Sequence, residues 1–145
     1  KKNRTISIAE SCTGGLISNR ITNISGSSKV LRGTIVSYSN ESKIKLLDID
    51  KKILNKYGAV SNKIAFLMAS NTLKIFSSDY ALSVTGISGP TGGSKSKPVG
   101  LVYIALSNFK ETKVEKFQFH SNREINKLKT SQAALNLLRI ALLNE

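Results

Sequence analysis

The sequence predicts an α/β layered domain with a mixed sheet and helices on both faces. Three observations carry this expectation. Short runs rich in apolar and β-branched residues alternate with stretches whose apolar residues recur at helical spacing. The order is strand, helix, strand, helices, three strands, helix. No internal repeat or linker divides the 145 residues, and 40% of them are hydrophobic, enough for one core.

Residues 5–9 read as a short buried strand, and residues 14–23 as a helix with Leu16, Ile17 and Ile21 on one face. Residues 25–28 ("SGSS") form a turn. Residues 30–39 read as strand, in one piece or in two short pieces around Gly33. Asn40 is placed to cap a short helix carrying Lys43, Leu46 and Leu47. A further helical turn or two ends at Gly58. Ser61 is a suitable N-cap for a helix over 62–76 with Ile64, Ala65, Met68 and Ile75 on one face. Residues 79–86 are a strand that opens a glycine-rich loop reaching Gly100, followed by an apolar strand over 101–107. Val114, Phe117 and Phe119 alternate as an edge or half-buried strand would. Residues 124–144 form a long helix with Ile125, Leu128, Leu135, Leu138 and Leu142 facing inward.

Charge and composition narrow the function classes. The net charge of +13 comes from 22 Lys+Arg against 9 Asp+Glu and invites a nucleic-acid reading. The lysines are scattered, however, and no aromatic residues interleave a basic cluster, so a generally solvated surface explains the charge better. No apolar run approaches a membrane span. One cysteine excludes an internal disulfide and points to a reducing, cytoplasmic setting. A single Cys12 and a single His120 argue against a dedicated zinc site, and no cofactor is called for.

The stretch "SIAESCTGG" (residues 7–15) places a carboxylate, a hydroxyl, a thiol, a second hydroxyl and two glycines at a strand-to-helix junction. Unpaired N–H groups gather at such a junction and stabilise an oxyanion. Ser11 is the candidate nucleophile there, with the N–H groups of Cys12, Thr13 and Gly14 as candidate oxyanion donors. Equally, Ser11 or Thr13 would serve as a plain helix N-cap. Cys12 reads as a small buried hydrophobe, and His120 has no acidic neighbour in sequence. A base other than histidine is then needed, and "VSYSNESK" supplies Tyr38 and Lys43. A lysine with a depressed pKa, alone or with a tyrosine, activates serine in hydrolases that lack histidine. The alternative is an exposed tyrosine and an ordinary surface lysine. The third element, "VTGISGPTGGSKSKPVG", offers Thr85, Gly86, Gly89, Gly92 and Gly93 to line a pocket, with Lys95 and Lys97 adding charge. It lacks the spacing of a Walker loop.

"AESCTGG" (9–15), "VSYSNESK" (36–43), "YGAVS" (57–61), "VTGISGPTGG" (84–93) and "KPVGLVYIA" (97–105) occur in order along nearly the whole chain. Together they resemble the CinA C-terminal domain family and its stand-alone relatives, the nicotinamide-nucleotide amidases. The resemblance implies a three-layer α/β/α sandwich with a mixed, mostly parallel sheet, one domain over 1–145. It implies hydrolysis of the carboxamide of nicotinamide mononucleotide to nicotinic acid mononucleotide and ammonia, without a metal. By position Ser11 is the nucleophile, Tyr38 and Lys43 the activating pair, and Thr85 with the following glycines the substrate loop; Arg123 corresponds to a basic residue the family places late in the chain, and the phosphate is expected to meet backbone N–H groups and cations of the 86–97 loop or Arg123. The resemblance also implies self-association. A domain that keeps the nucleotide pocket but performs no chemistry, within a longer CinA-type protein, is the alternative. Ser25, Thr34 and Asn62 depart from the family's pattern, outside the catalytic set. The chain begins at Lys1 and nearer its first motif than relatives do, which fits a preceding helix or the tail of a longer two-domain protein.

Overall fold

The computed structural model describes residues 3–145. Its strands are β1 (Ile6–Glu10), β2 (Leu31–Val36), β3 (Tyr80–Gly86), β4 (Leu101–Asn108) and β5 (Thr112–Gln118). Its helices are α1 (Leu16–Thr22), α2 (Asn40–Leu47), α3 (Lys51–Tyr57), α4 (Asn62–Phe76) and α5 (Arg123–Leu143). The strands form one sheet in the order β2-β1-β3-β4-β5. The β2–β1 and β1–β3 pairings are parallel, and the β3–β4 and β4–β5 pairings antiparallel, so β4 alone runs against the rest. The sheet is mixed, as expected.

Side-chain alternation builds the three layers. Ile6 and Ile8 of β1, Leu82 and Val84 of β3, and Val102 and Ile104 of β4 pack with Ile17 of α1 and Ala134 and Leu138 of α5. Ala9 points the other way, into a cluster with Leu47, Ile49, Leu54, Ile64 and Met68 from α2, α3 and α4. Each fully buried side chain of this kind contributes about 1.5–3 kcal/mol. Small residues let α4 lie close on the sheet: Ala65 and Ala69 meet Ala105, and the Ser83 hydroxyl donates to the Ala65 carbonyl at 2.7 Å.

Several sequence expectations hold to the residue. Ser61 caps α4, accepting from the Ile64 N–H at 3.2 Å, and α4 spans Asn62–Phe76. Others are corrected. Ser39, not Asn40, caps α2, its hydroxyl accepting from the Ser42 N–H at 3.0 Å. β2 is one strand; the Phe76 ring lies where a side chain at Gly33 would project. Ile75 and Leu128 are exposed, at 49% and 47%. The buried face of α5 instead carries Asn126, Thr130 and Ser131 ahead of Ala134 and Leu138. Phe119 lies just past the end of β5 but packs against the core.

Gly100 closes the glycine-rich loop onto β4 at φ +87°, and a Cβ there would lie 1.8 Å from the Phe119 carbonyl oxygen. Its own N–H donates to the Ile87 carbonyl at 2.7 Å, and its carbonyl accepts from the Phe119 N–H at 2.9 Å. Gly100→Ala is therefore expected to cost roughly 3 kcal/mol, combining the left-handed φ with the backbone collision. Urea unfolding of the variant and the wild type checks this.

Candidate active site

The parallel strands β2, β1 and β3 all end on the same side, and the chain segments leaving them form a cleft of about 250 Å³. Openings at the carboxyl ends of such strands are where α/β sheets place ligands. Ser11 and Cys12 follow β1, Tyr38 follows β2, and Thr85, Gly86, Ser88, Gly89 and Gly92 continue from β3. Lys43 enters from α2, and Arg123 from the first turn of α5.

Lys43 is the largest fully buried side chain, at 1% exposure. Its Nζ lies 3.0 Å from Ser11 Oγ and donates to the carbonyls of Ser37 at 2.7 Å and Tyr38 at 3.4 Å. Burial lowers its pKa from 10.5 to about 8. A neutral amine whose two N–H groups are engaged by carbonyls aims its lone pair at the serine hydroxyl. Backbone bonds close a ring around this pair: the Ser37 N–H donates to the Glu10 carbonyl at 2.8 Å, and Glu10 directly precedes Ser11.

The remaining residues of the first motif divide. Burial pushes the Cys12 thiol up to about 12, so it stays protonated and packs in the core. The Thr13 hydroxyl donates to Glu10 Oε2 at 2.6 Å and does not line the cleft. The Gly14 N–H donates to the Ser11 carbonyl at 3.1 Å, which removes it from the oxyanion donors and leaves the amides of Cys12 and Thr13 as candidates. Neither Ser11 nor Thr13 caps α1. The N-cap is Gly15 at φ 99°, with no side-chain cap of its own.

Tyr38 is 61% exposed and meets Ser11 and Lys43 only as a neighbour in the cleft wall. Its hydroxyl accepts from Arg123 at 2.9 Å, while its carbonyl, not its phenol, touches Lys43. The second guanidinium nitrogen of Arg123 donates to the Gly89 carbonyl at 2.7 Å. Arg123 thereby ties the mouth of the cleft together, and among the described residues no carboxylate pairs with it. The Thr85 hydroxyl donates to the Ala59 carbonyl at 2.8 Å, fastening the β3 end to the "YGAVS" segment. Gly93 lies outside the cleft lining; a Cβ there would lie 2.8 Å from the Val99 nitrogen. Lys97 turns away to the Tyr57 carbonyl at the end of α3, 3.0 Å distant.

Among the described residues no Asp or Glu lines the cleft, so the positive charge of Arg123 is unopposed there. Among the described residues no group of three or more His, Cys, Asp or Glu side chains is placed to hold a metal ion. A larger hollow, about 590 Å³, lies at the other end of the sheet between Tyr80, Phe109, Glu111 and Ile140. Its Tyr80 hydroxyl donates to Glu145 Oε1 at 2.6 Å, and among the described residues neither a serine nor a buried lysine lines it, so the smaller cleft is the stronger candidate site.

Sequence reasoning missed Glu10, Ser88 and Asn126. Asn126, buried in α5, donates to the Ser88 carbonyl at 3.0 Å and the Ser121 carbonyl at 2.9 Å, holding the loop over the cleft. Asn126 lies off the helix face expected to point inward, the one carrying Ile125, Leu128 and Leu135, so its burial had no local signal.

Residues 1–142 match the CinA C-terminal domain family. The chain belongs to that family. CinA-like proteins of Endomicrobium trichonymphae and Prochlorococcus marinus are each 51% identical to it, over 94% and 100% of the chain. The chain spans about a third of the length of these curated relatives, 32% and 35%. Among solved structures, the CinA-family fold recurs in the competence/damage inducible protein CihA of Agrobacterium tumefaciens, at 38% identity and TM-score 0.93. That match covers 99% of this chain and 87% of the other. ComA of Klebsiella pneumoniae gives 27% identity and TM-score 0.94, covering 98% and 88%. Among the described residues no helix is long and apolar enough to cross a membrane.

Proposed function

We propose that this CinA-family chain hydrolyses the carboxamide of nicotinamide mononucleotide, giving nicotinic acid mononucleotide and ammonia. The observation that carries this reading is the buried Lys43 amine, 3.0 Å from Ser11 Oγ, beside a cleft free of carboxylates. A pocket that only binds has no need of a lysine kept out of water, because burying its charge is costly.

Ser11 Oγ attacks the amide carbon as Lys43 takes its proton. The oxyanion that forms meets the amides of Cys12 and Thr13. Lys43 returns the proton to the nitrogen, the C–N bond breaks, and ammonia leaves an acyl ester on Ser11. Water then attacks the ester, Lys43 again moves the proton, and the free acid departs. Arg123, with no competing carboxylate, meets the phosphate at the mouth, and Tyr38 orients it through the 2.9 Å bond.

Arg123→Ala is expected to raise KM for the mononucleotide about 10- to 100-fold while kcat changes less, because a charge-assisted bond to a distal group contributes to ground-state and transition-state binding alike. Steady-state kinetics separate the two. The reading as a whole is tested by measuring ammonia released when purified protein meets nicotinamide mononucleotide. Turnover supports it. Saturable binding of the mononucleotide without ammonia assigns the chain as a nucleotide-binding domain of a longer protein instead.

A further inference from the structure

Glu10 is fully buried, at 0% exposure, and does not line the cleft, yet it is among the most heavily hydrogen-bonded side chains of the molecule. Oε2 accepts from the Thr13 hydroxyl at 2.6 Å, the Gly15 N–H at 3.0 Å and the Ile17 N–H at 3.1 Å. Oε1 accepts from the Ser18 N–H at 2.9 Å and from the Ser18 hydroxyl. Three of these donors are backbone N–H groups at the start of α1, which Gly15 leaves without a side-chain acceptor. The carboxylate thus answers three N–H groups at the N-terminus of α1 from the residue next to Ser11, and the Leu16 N–H goes to the Thr13 carbonyl at 3.2 Å.

We propose that Glu10 is a positioning residue for the Ser11 nucleophile; this rests on the reading of Ser11 as nucleophile and Lys43 as base. The turn from Ser11 to Gly14 is held at both ends by Glu10. At one end stand the covalent bond to Ser11 and the β-sheet bond from the Ser37 N–H to the Glu10 carbonyl. At the other stand the side-chain bonds to Thr13, Gly15, Ile17 and Ser18. Ser37 also supplies the carbonyl that holds Lys43 Nζ at 2.7 Å, so one residue sets nucleophile and base against each other. A second consequence concerns the ligand. The positive end of α1 is already neutralised from within, so an anionic substrate group gains nothing there and is directed to Arg123.

The test measures the reactivity of Ser11 directly, without relying on the natural substrate. Wild type, Glu10→Gln and Ser18→Ala are treated with a fluorophosphonate, and phosphonylation is followed by intact mass and peptide mapping. Glu10→Gln keeps the shape but turns an NH₂ toward backbone donors that cannot reverse. Its labelling rate is expected to fall at least about 30-fold, and kcat for the mononucleotide to fall in parallel with KM within about threefold. Ser18→Ala removes one donor from the carboxylate at a residue outside the cleft, and a smaller fall of about three- to tenfold is expected with thermal stability near wild type. If Glu10→Gln does not fold, Ser18→Ala decides alone. Wild-type labelling rates in both variants, or a fall only in proportion to the unfolded fraction, overturn the positioning role. A wild type that is labelled but does not turn over the mononucleotide removes the substrate assignment and leaves this proposal to be judged on labelling. A wild type whose Ser11 is never labelled removes the nucleophile itself, and this proposal with it.

Discussion

Ser11→Ala is expected to leave a folded protein whose release of ammonia from nicotinamide mononucleotide is at least about 1,000-fold slower than wild type. The substitution deletes one oxygen from a side chain that is only 7% exposed, and that oxygen's hydrogen-bond partner is Lys43 Nζ at 3.0 Å. The effect on stability is therefore small and the effect on chemistry large. The adjacent Cys12 cannot take over, because burial keeps its thiol protonated up to about 12 and packs it into the core. Ammonia assays and thermal unfolding on the same preparation separate the two effects.

Lys43→Met is expected to reduce kcat/KM about 100- to 10,000-fold, the range lost with a general base. Lys43→Arg is expected not to restore it, since a guanidinium stays protonated and cannot accept the serine proton. The same lysine carries a stability signature. Its folded-state pKa, about 8, lies below the ordinary 10.5. Between those values the unfolded chain binds a proton that the folded chain does not, so the contribution of this site to stability rises with pH through that window. Below it, holding a buried cation is a cost. The difference in unfolding free energy between wild type and Lys43→Met should accordingly move by roughly 3 kcal/mol in favour of wild type from about pH 7 to about pH 11. Urea unfolding of both proteins at the two pH values measures it, and other titrating groups cancel in the difference.

The parts of the fold legible in the sequence were those governed by local patterns. Ser61 followed by apolar residues at helical spacing marks α4 to its first and last residue. Apolar alternation and glycine breaks place β1, β3 and β4 within a residue or two. The mixed order follows from one crossover after β1, a second after β2, the long glycine-rich loop after β3 and a tight turn after β4. The candidate site was legible as a list of residues, because its motifs lie at strand ends. Their roles were less so, since these depend on contacts between residues distant in sequence. The hydroxyl of Tyr38 is taken by Arg123, 85 residues away, and that pairing has no local signature. Glu10 reads locally as the end of an apolar strand; its task appears only when Gly14 and Gly15, at φ 60° and 99°, fold the turn back over it. The polar inward face of α5 likewise answers the carbonyls of a loop that precedes it by more than thirty residues.

In the proposed mechanism a buried, neutral Lys43 takes the proton of Ser11. The pH dependence of kcat/KM for nicotinamide mononucleotide tests it most directly. With Lys43 as base, the rate rises with pH to a midpoint near 8 and levels above it, and the limb disappears in the residual activity of Lys43→Met. A profile that is flat through this range, or a limb near 8 that survives in Lys43→Met, contradicts the account.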